Sequence, residues 1–318
     1  LTLPFIFVYY RNMQIFEIKD LNLNPIKAVN FSLEKDLQKL TEKNLELIFG
    51  LKFVRSEFSL HQLRIDTLAF DPETKSFVII EYKRDKSFSV IDQGYAYLAL
   101  MLNNKADFIL EYNEKKDGNL KRDEVDWSQS RVLFLADSFT IYQQNAINFK
   151  DLPIELWEVK RFDNKTIIYH QLKPSEAKES VKAITKNQEI ERVSREVTKY
   201  SIDEKFKPGW ENSKELYEEI SSKIIELDSR IEEKINKNYI GFKIGNSNLV
   251  AIIVHKSKLA LQLVRVDKED LKDPEDKIVK VPWQKNGWGK FCEYKINGPE
   301  DIDYAQFLIK QVYQKFYR

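Results

Sequence analysis

The chain has 318 residues, 42% hydrophobic and 32% charged, with a net charge of +1. This is the composition of a folded protein rather than a disordered one, and the length favours two domains, each with its own core. The near-neutral balance excludes a global basic field for polyanions. Residues 1–172 carry 23 Lys and Arg against 25 Asp and Glu, and the remainder carries 28 against 25, so a nucleic-acid site would have to be a local groove. The single Cys292 excludes an internal disulfide and a cysteine metal cage, and fits a reducing, cytoplasmic setting.

Leu1 to Tyr10 is apolar but too short to cross a bilayer, and Pro4 interrupts it. It lacks the basic region and cleavage site of a signal peptide. Met13 reads as the native start, with an added edge strand as the alternative for residues 1–12. Gln14 to Leu21 is expected to form a short strand. Ser32 is placed to cap a helix over Leu33 to Phe49, with Glu34 and Asp36 in the first turn and Gly50 ending it. Leu33, Leu37, Leu40, Leu45 and Ile48 would be its apolar face. Lys52 to Phe58 predicts a strand antiparallel to the next one. Ser87 to Asn103 predicts a helix, Ala106 to Tyr112 a strand, Asn113 to Gln129 a loop, and Arg131 to Ala136 a buried strand. Gln143 to Phe149 reads as a helix. Ile154 to Phe162 and Thr166 to Gln171 read as a hairpin turning at Asp163-Asn164.

Ser175 to Lys207 is charged and short of large apolar residues, so it reads as a linker ending at Pro208-Gly209. The expected division is 1–174, a linker over 175–211, and a smaller α+β domain over 212–318. In the latter, Asn212 to Asn236 predicts one long amphipathic helix. Strands follow at Tyr239 to Ile244, Leu249 to Val254 and Leu259 to Val266. Asn286-Gly287 marks a tight turn, and a last helix runs from Pro299 to Tyr317.

The stretch that carries chemistry is Leu63 to Lys83. Two strand-like runs flank the turn Asp71-Pro72-Glu73-Thr74. A turn centred between Glu73 and Thr74 sets Phe70 opposite Phe77, Asp66 opposite Glu81 and Arg64 opposite Lys83. Alternation then places Asp66, Glu81 and Lys83 on one face, inside apolar strands. Charges there are costly unless paired or bound to a metal. Two carboxylates, with the Tyr82 carbonyl between them, suit one or two Mg²⁺ or Mn²⁺ ions. Such an ion lowers the pKa of a bound water, and a lysine can orient that water. A cross-strand salt-bridge ladder is the plainer alternative. Glu293-Tyr294-Lys295 repeats the tripeptide and reads as an ordinary amphipathic strand. His61, His170 and His255 lack metal-ligand spacing, and no Gly-rich phosphate loop occurs.

Glu34, Asn44, Arg64-Ile65-Asp66, Glu81-Tyr82-Lys83 and Gln93, in that order, resemble the PD-(D/E)xK nuclease superfamily. The branch most resembled is the archaeal-type mismatch and branched-DNA endonucleases. The resemblance covers roughly residues 30–112. It implies an α/β restriction-endonuclease-like core of order αβββαβ with a mixed sheet. It implies Mg²⁺-dependent cleavage of nucleic acid, with DNA expected, in a defence or repair setting. Asp66, Glu81 and Glu34 would be metal ligands, Lys83 would position water, and Gln93 would support. Arg64, Arg84, Lys86 and Tyr97 are weaker candidates for nucleic-acid contact. Residues 212–318 resemble a small domain of unknown function labelled a predicted transport protein. The carriers are Trp283, Gly287-Trp288-Gly289 and Asp303-Tyr304-Ala305 through Leu308-Ile309 to Tyr313. No membrane partner is expected. A homodimer built on the 212–236 helix, or a catalytically inactive binding module that keeps the fold, stands as an alternative.

Overall fold

The computed structural model describes residues 14–31, 33–84, 89–116, 118–149, 152–173, 188–197, 200–281 and 290–317. Outside them lie Met13 and what precedes it, the expected cap Ser32, Lys86, residues 175–187 of the expected linker, and Trp283 to Gly289 with the Asn286-Gly287 turn.

Strands β1 (Ile15–Lys19) and β2 (Asn22–Ile26) form a two-stranded antiparallel ribbon where one strand was expected. The turn is Asp20-Leu21, both at positive φ, and an exposed Leu at such a position is not a turn signal. After β3 (Ala28–Val29), the single helix expected over 33–49 is two: α1 (Glu34–Lys43) and α2 (Leu45–Phe49). Asn44 breaks it, its side-chain amide donating to the Leu40 carbonyl at 2.8 Å. The apolar face is correspondingly reduced: Leu37 and Leu45 are buried, whereas Leu33 and Leu40 are exposed. Gly50 closes α2 in the left-handed region at φ 68°.

A three-stranded antiparallel meander follows: β4 (Lys52–Leu60), β5 (Leu63–Asp71) and β6 (Ser76–Lys83). Phe70 pairs Phe77 and Thr67 pairs Ile80, the register set by the turn. Helix α3 (Val90–Asn103) starts at Ser89, whose hydroxyl accepts the Asp92 N–H. The segment expected as a strand over 106–112 is instead helix α4 (Lys105–Lys116). Phe108 and Tyr112 are four residues apart and both reach the same core, so the helical period prevails over the short apolar run. Then come β7 (Arg131–Ala136), α5 (Ile141–Ala146), β8 (Ile154–Phe162) and β9 (Ile167–Leu172).

These strands make a mixed sheet in the order β3-β8-β7-β6-β5-β4, with β9 also on β8. β6, β7 and β8 run parallel and sit at its centre. Both faces are covered, which is why β6 and β7 are near-continuous apolar runs. On one face Phe77, Ile79, Val132 and Phe134 pack against Tyr95, Leu98 and Met101 of α3. On the other, Val78, Ile80, Leu133 and Leu135 pack with Leu37 and Leu45. α3 approaches the sheet closely at Gly94: an added Cβ would lie 2.4 Å from Ile154 Cδ1 and 2.9 Å from its Cγ1. Gly94→Ala is therefore expected to destabilise by about 1–3 kcal/mol despite the better helix propensity of Ala. Urea unfolding measures it, and an unchanged midpoint would mean that Ile154 repacks freely.

The expected linker is corrected in its second half. Helix α6 (Gln188–Glu196) packs on α3, with Val193 and Val197 buried in the first core and the Ser194 hydroxyl 3.1 Å from that of Tyr95. Val193 and Ile190 on the helix, with Val197 just past its end, dock an otherwise charged segment.

The rest forms a further domain, an antiparallel sheet covered by two helices. Helix α7 (Glu211–Ile225) is shorter than expected, because Ile231–Ile235 is strand β10 rather than its continuation. Asp228 makes the break by accepting the Arg230 N–H and guanidinium. Strands β11 (Ile240–Ile244), β12 (Ser247–Val254), β13 (Leu259–Val264), β14 (Val279–Lys280) and β15 (Phe291–Ile296) complete the sheet, ordered β10-β11-β12-β13-β15-β14. α7 and α8 (Ile302–Tyr317) supply Leu216, Ile220, Ile224, Leu308, Ile309 and Val312 to its core. The second Glu-Tyr-Lys lies in β15, with Tyr294 buried and Lys295 exposed, as an amphipathic strand requires. Among the described residues no helix is long and apolar enough to cross a membrane.

The β5–β6 turn joins the two sheets. The Glu73 carboxylate accepts from Lys243 Nζ (2.5 Å), the Tyr239 hydroxyl (2.6 Å) and Asn248 Nδ2 (2.9 Å), with Lys234 at 3.5 Å. Beside it Asp71 pairs with Arg131 at 3.0 Å, and Arg131 also reaches Glu155 at 3.1 Å. Burial alone would raise Glu73, but Lys234 and Lys243 hold it down at about 2.

Candidate active site

β4 and β5 pair in register on either side of Glu57 and Asp66, but those two residues do not pair. Glu57 stands at φ 55°, an unfavourable conformation for a residue with a Cβ. Its carboxylate is held between Lys35 and Arg64. The kink reverses the alternation of both strands. Ser56 and Thr67 face α1, where Gln38 Nε2 donates to Ser56 and Glu42 accepts from Thr67. Phe58 and Ile65, one pair further on, enter the α3-side core instead. Ile65 therefore does not share a face with Thr67 and Ala69, as strict alternation predicts. Asp66 sits at the reversal, just past the last β5–β6 pair at Thr67 and Ile80.

There Asp66 Oδ2 accepts the Tyr82 N–H at 3.0 Å, so its carboxylate takes up a donor that the strand ladder leaves free. Burial, and next the charge of Glu81, raise Asp66 to about 6, while the Tyr82 N–H and Lys83 oppose the shift. Glu81 is buried at the carboxyl end of β6, and three side chains hydrogen-bond its carboxylate. Lys83 Nζ donates to Oε1 at 2.9 Å and Gln93 Nε2 donates to the same oxygen at 3.1 Å. The Tyr97 hydroxyl donates to Oε2 at 3.0 Å. α3 places Gln93 and Tyr97 one turn apart on the face toward Glu81, and they also bond each other at 3.2 Å. The carboxyl ends of parallel strands are where open α/β sheets present binding crevices.

Two expectations need correcting. Tyr97 is buried, only 4% exposed, and its hydroxyl orients Glu81, so its ring offers no stacking surface for a base. Its spacing from Gln93 was the signal for this role. Glu34 stands exposed at the start of α1, and its carboxylate accepts the Arg84 N–H at 2.5 Å. It is close enough to push Asp66 upward, but among the described residues no three His, Cys, Asp or Glu side chains converge on one metal position. Arg64 is exposed but paired with Glu57. Arg84 is exposed beside the site. Sequence reading missed Thr67 and Tyr82, whose hydroxyls lie 3.3 Å apart behind the site and tie it to Glu42.

An uncharacterized protein of Haemophilus influenzae is 43% identical over 301 residues, covering 94% of this chain and 99% of that protein. The chain belongs to the family of that protein. Residues 202–315 of the chain match the model of a domain of unknown function, DUF5655. That places the match on the further antiparallel domain and leaves the mixed sheet outside it. Two solved structures show partial similarity to the chain. One is a repair endonuclease from Pyrococcus abyssi: 17% identity, TM-score 0.22, covering 37% of this chain and 44% of that one. The other is a structure of an EndoMS–dsDNA complex: 15% identity, TM-score 0.24, covering 41% and 57%. The chain thus spans about half the length of these neighbours. TM-scores this low establish neither a shared fold nor a shared activity.

Proposed function

We propose that the mixed-sheet domain is a PD-(D/E)xK-type, metal-dependent nuclease acting on DNA. The observation that carries this reading is the grouping of Asp66, Glu81 and Lys83 at the end of β6, with Gln93 and Tyr97 holding Glu81. The donor set suits a hard divalent cation. Asp66 is raised to about 6 by burial and by its neighbouring carboxylate, a repulsion that Mg²⁺ or Mn²⁺ would relieve. Asp66 and Glu81 would hold the ion, which supplies Lewis acidity toward a phosphodiester and a more acidic bound water. The residues of the chain do the rest. Gln93 and Tyr97 fix both oxygens of Glu81, leaving one rotamer for it. Lys83 lies beside the acid pair, half-buried, where an ammonium can orient water or meet developing negative charge. Arg84, exposed one residue on, would offer a guanidinium to a phosphate of the strand.

The test is incubation with single-stranded, duplex and forked DNA in Mg²⁺, Mn²⁺ or EDTA. Cleavage is expected with metal and not with EDTA, and lost in Lys83→Ala and Asp66→Ala. Cleavage that persists in both variants would place the activity elsewhere. One observation favours a second reading, a non-catalytic DNA-binding module: Lys83 is already paired with Glu81 at 2.9 Å. DNA binding without metal-dependent cleavage on any of these substrates would establish it.

A further inference from the structure

Where the 200–210 segment crosses the β10–β11 turn there is a half-open cavity of about 440 Å³, within the usual size of small-molecule sites. It is distant in the fold from Asp66 and Glu81, at the opposite end of the β5–β6 hairpin. Three aromatic rings line it, Tyr200, Trp210 and Tyr239, over an apolar floor of Ile252 and Val254. The polar groups are Lys205, Lys237, Asn238 and Glu204.

The aromatic walls are anchored. The Tyr239 hydroxyl is tied to Glu73 at 2.6 Å, and that of Tyr200 lies 3.3 Å from the Ser128 hydroxyl. The hydroxyls of these two rings are thus held by contacts outside the cavity lining. Lys205 is half-buried. Its ammonium donates to the Lys237 carbonyl at 2.7 Å and lies 5.0 Å from the centre of the Tyr200 ring, in no salt bridge among the described residues. Lys237 is neutralised by Asp126 at 3.1 Å, whereas Lys205 is attracted by the neighbouring Glu204 carboxylate without forming a salt bridge with it. Burial lowers the pKa of Lys205, a cost that an anion in the cavity would offset. Flat apolar walls ask for a planar ring, and the ammonium asks for an anionic group attached to it. Asn238 and Glu204 add a carboxamide and a carboxylate that can meet ring-edge or sugar hydroxyl donors.

We propose that this cavity binds a nucleotide, its base against the aromatic lining at Trp210 and its phosphate on Lys205. The same chemistry comes from a free nucleoside monophosphate or from an unstacked nucleotide of a single strand. The site stands apart from the acid pair and does not depend on the nuclease reading.

Isothermal titration of the full chain in EDTA, where hydrolysis cannot intervene, tests it. The probes are AMP, thymidine 5′-monophosphate, adenosine, inorganic phosphate and a short oligothymidylate. AMP is expected to saturate one site, with adenosine weaker and phosphate alone not binding. Trp210→Leu is expected to weaken AMP by about 5- to 100-fold, while Trp210→Phe, which keeps a ring, retains binding. Lys205→Gln is expected to bring AMP down to the level of adenosine. An oligothymidylate much tighter than the monophosphate identifies a strand as the source, and equal affinities identify the free nucleotide. No saturation by any nucleotide or oligonucleotide in the millimolar range overturns the proposal. So does binding unchanged in Trp210→Leu and Lys205→Gln, or phosphate binding as well as AMP.

Discussion

Asp66→Asn is expected to stabilise the protein at pH 8 while abolishing metal-dependent cleavage. Asp66 has a folded-state pKa of about 6 against an ordinary value of 3.8, with burial the main cause. The folded protein therefore holds this proton more tightly than the unfolded chain does. The sign follows: the charged carboxylate destabilises the fold, with no cost below about pH 4, a rising cost between 4 and 6, and the full cost above 6. Asn removes the charge and keeps an oxygen for the Tyr82 N–H. Allowing for the partial exposure of the group, the gain at pH 8 is about 1–2 kcal/mol, several degrees in melting temperature. At pH 4 the variant and the parent should melt together. Cleavage should fall by about a hundredfold or more, as when a charge-bearing group of a reaction centre is removed. Melting curves at the two pH values measure the first effect and single-turnover cleavage the second. Loss of stability at pH 8 would show that Asp66 is a structural partner rather than a strained functional acid. Mg²⁺ should raise the melting temperature of the parent and not of the variant.

Glu73→Leu is expected to cost about 3–5 kcal/mol of stability. Glu73 is held at about 2, below its ordinary value of 4.5, by Lys234 and Lys243 against the effect of burial. A depressed carboxylate contributes stability that is fully present above about 4.5 and disappears as the pH falls toward 2. The contribution is larger than the pair alone suggests, because leucine would leave the Lys243 ammonium, only 12% exposed, without its carboxylate. Glu73→Leu combined with Lys243→Leu should recover much of the loss, since it removes the orphaned charge. Urea unfolding of the three variants at pH 7 decides. A deficit in the double variant equal to that of the single one would place the energy in Tyr239 and Asn248 rather than in the ion pair. Because Glu73 bridges the two sheets, the single variant should also broaden or split the unfolding transition.

The acid pair was legible in the sequence because it depends on local chain geometry. The turn at Asp71-Pro72 fixes Phe70 opposite Phe77, and the register carries Asp66 to the end of the ladder near Glu81. The reversal at Glu57 was not legible: nothing in Ser56-Glu57-Phe58 announces a left-handed residue, and the conformation is stabilised by Lys35 and Arg64 from elsewhere in the chain. Ile231 and Ile235 misled for a different reason. A spacing of four puts two residues on the same face of a helix and equally of a strand, so their period could not tell β10 from a longer α7. Only the partner strand decides between them. Phe108 and Tyr112 show the reverse case, a helix concealed in a run short enough to pass for a strand. The role of Glu73 was beyond reach, since its partners lie more than 160 residues further along the chain.

The docking of α6 has a consequence for how the protein is made. Val193 and Val197 close a core whose last strand ends at Leu172. A nascent chain that has emerged only as far as β9 exposes the apolar side of α3 that these valines cover, together with the Tyr95 hydroxyl that Ser194 meets. Ribosomal synthesis must therefore continue some twenty-five residues beyond the sheet before the first domain can reach its final packing. A gene fragment stopped at Leu172 would yield a product that chaperones retain and proteases clear, whereas one extended past Val197 would yield the complete domain.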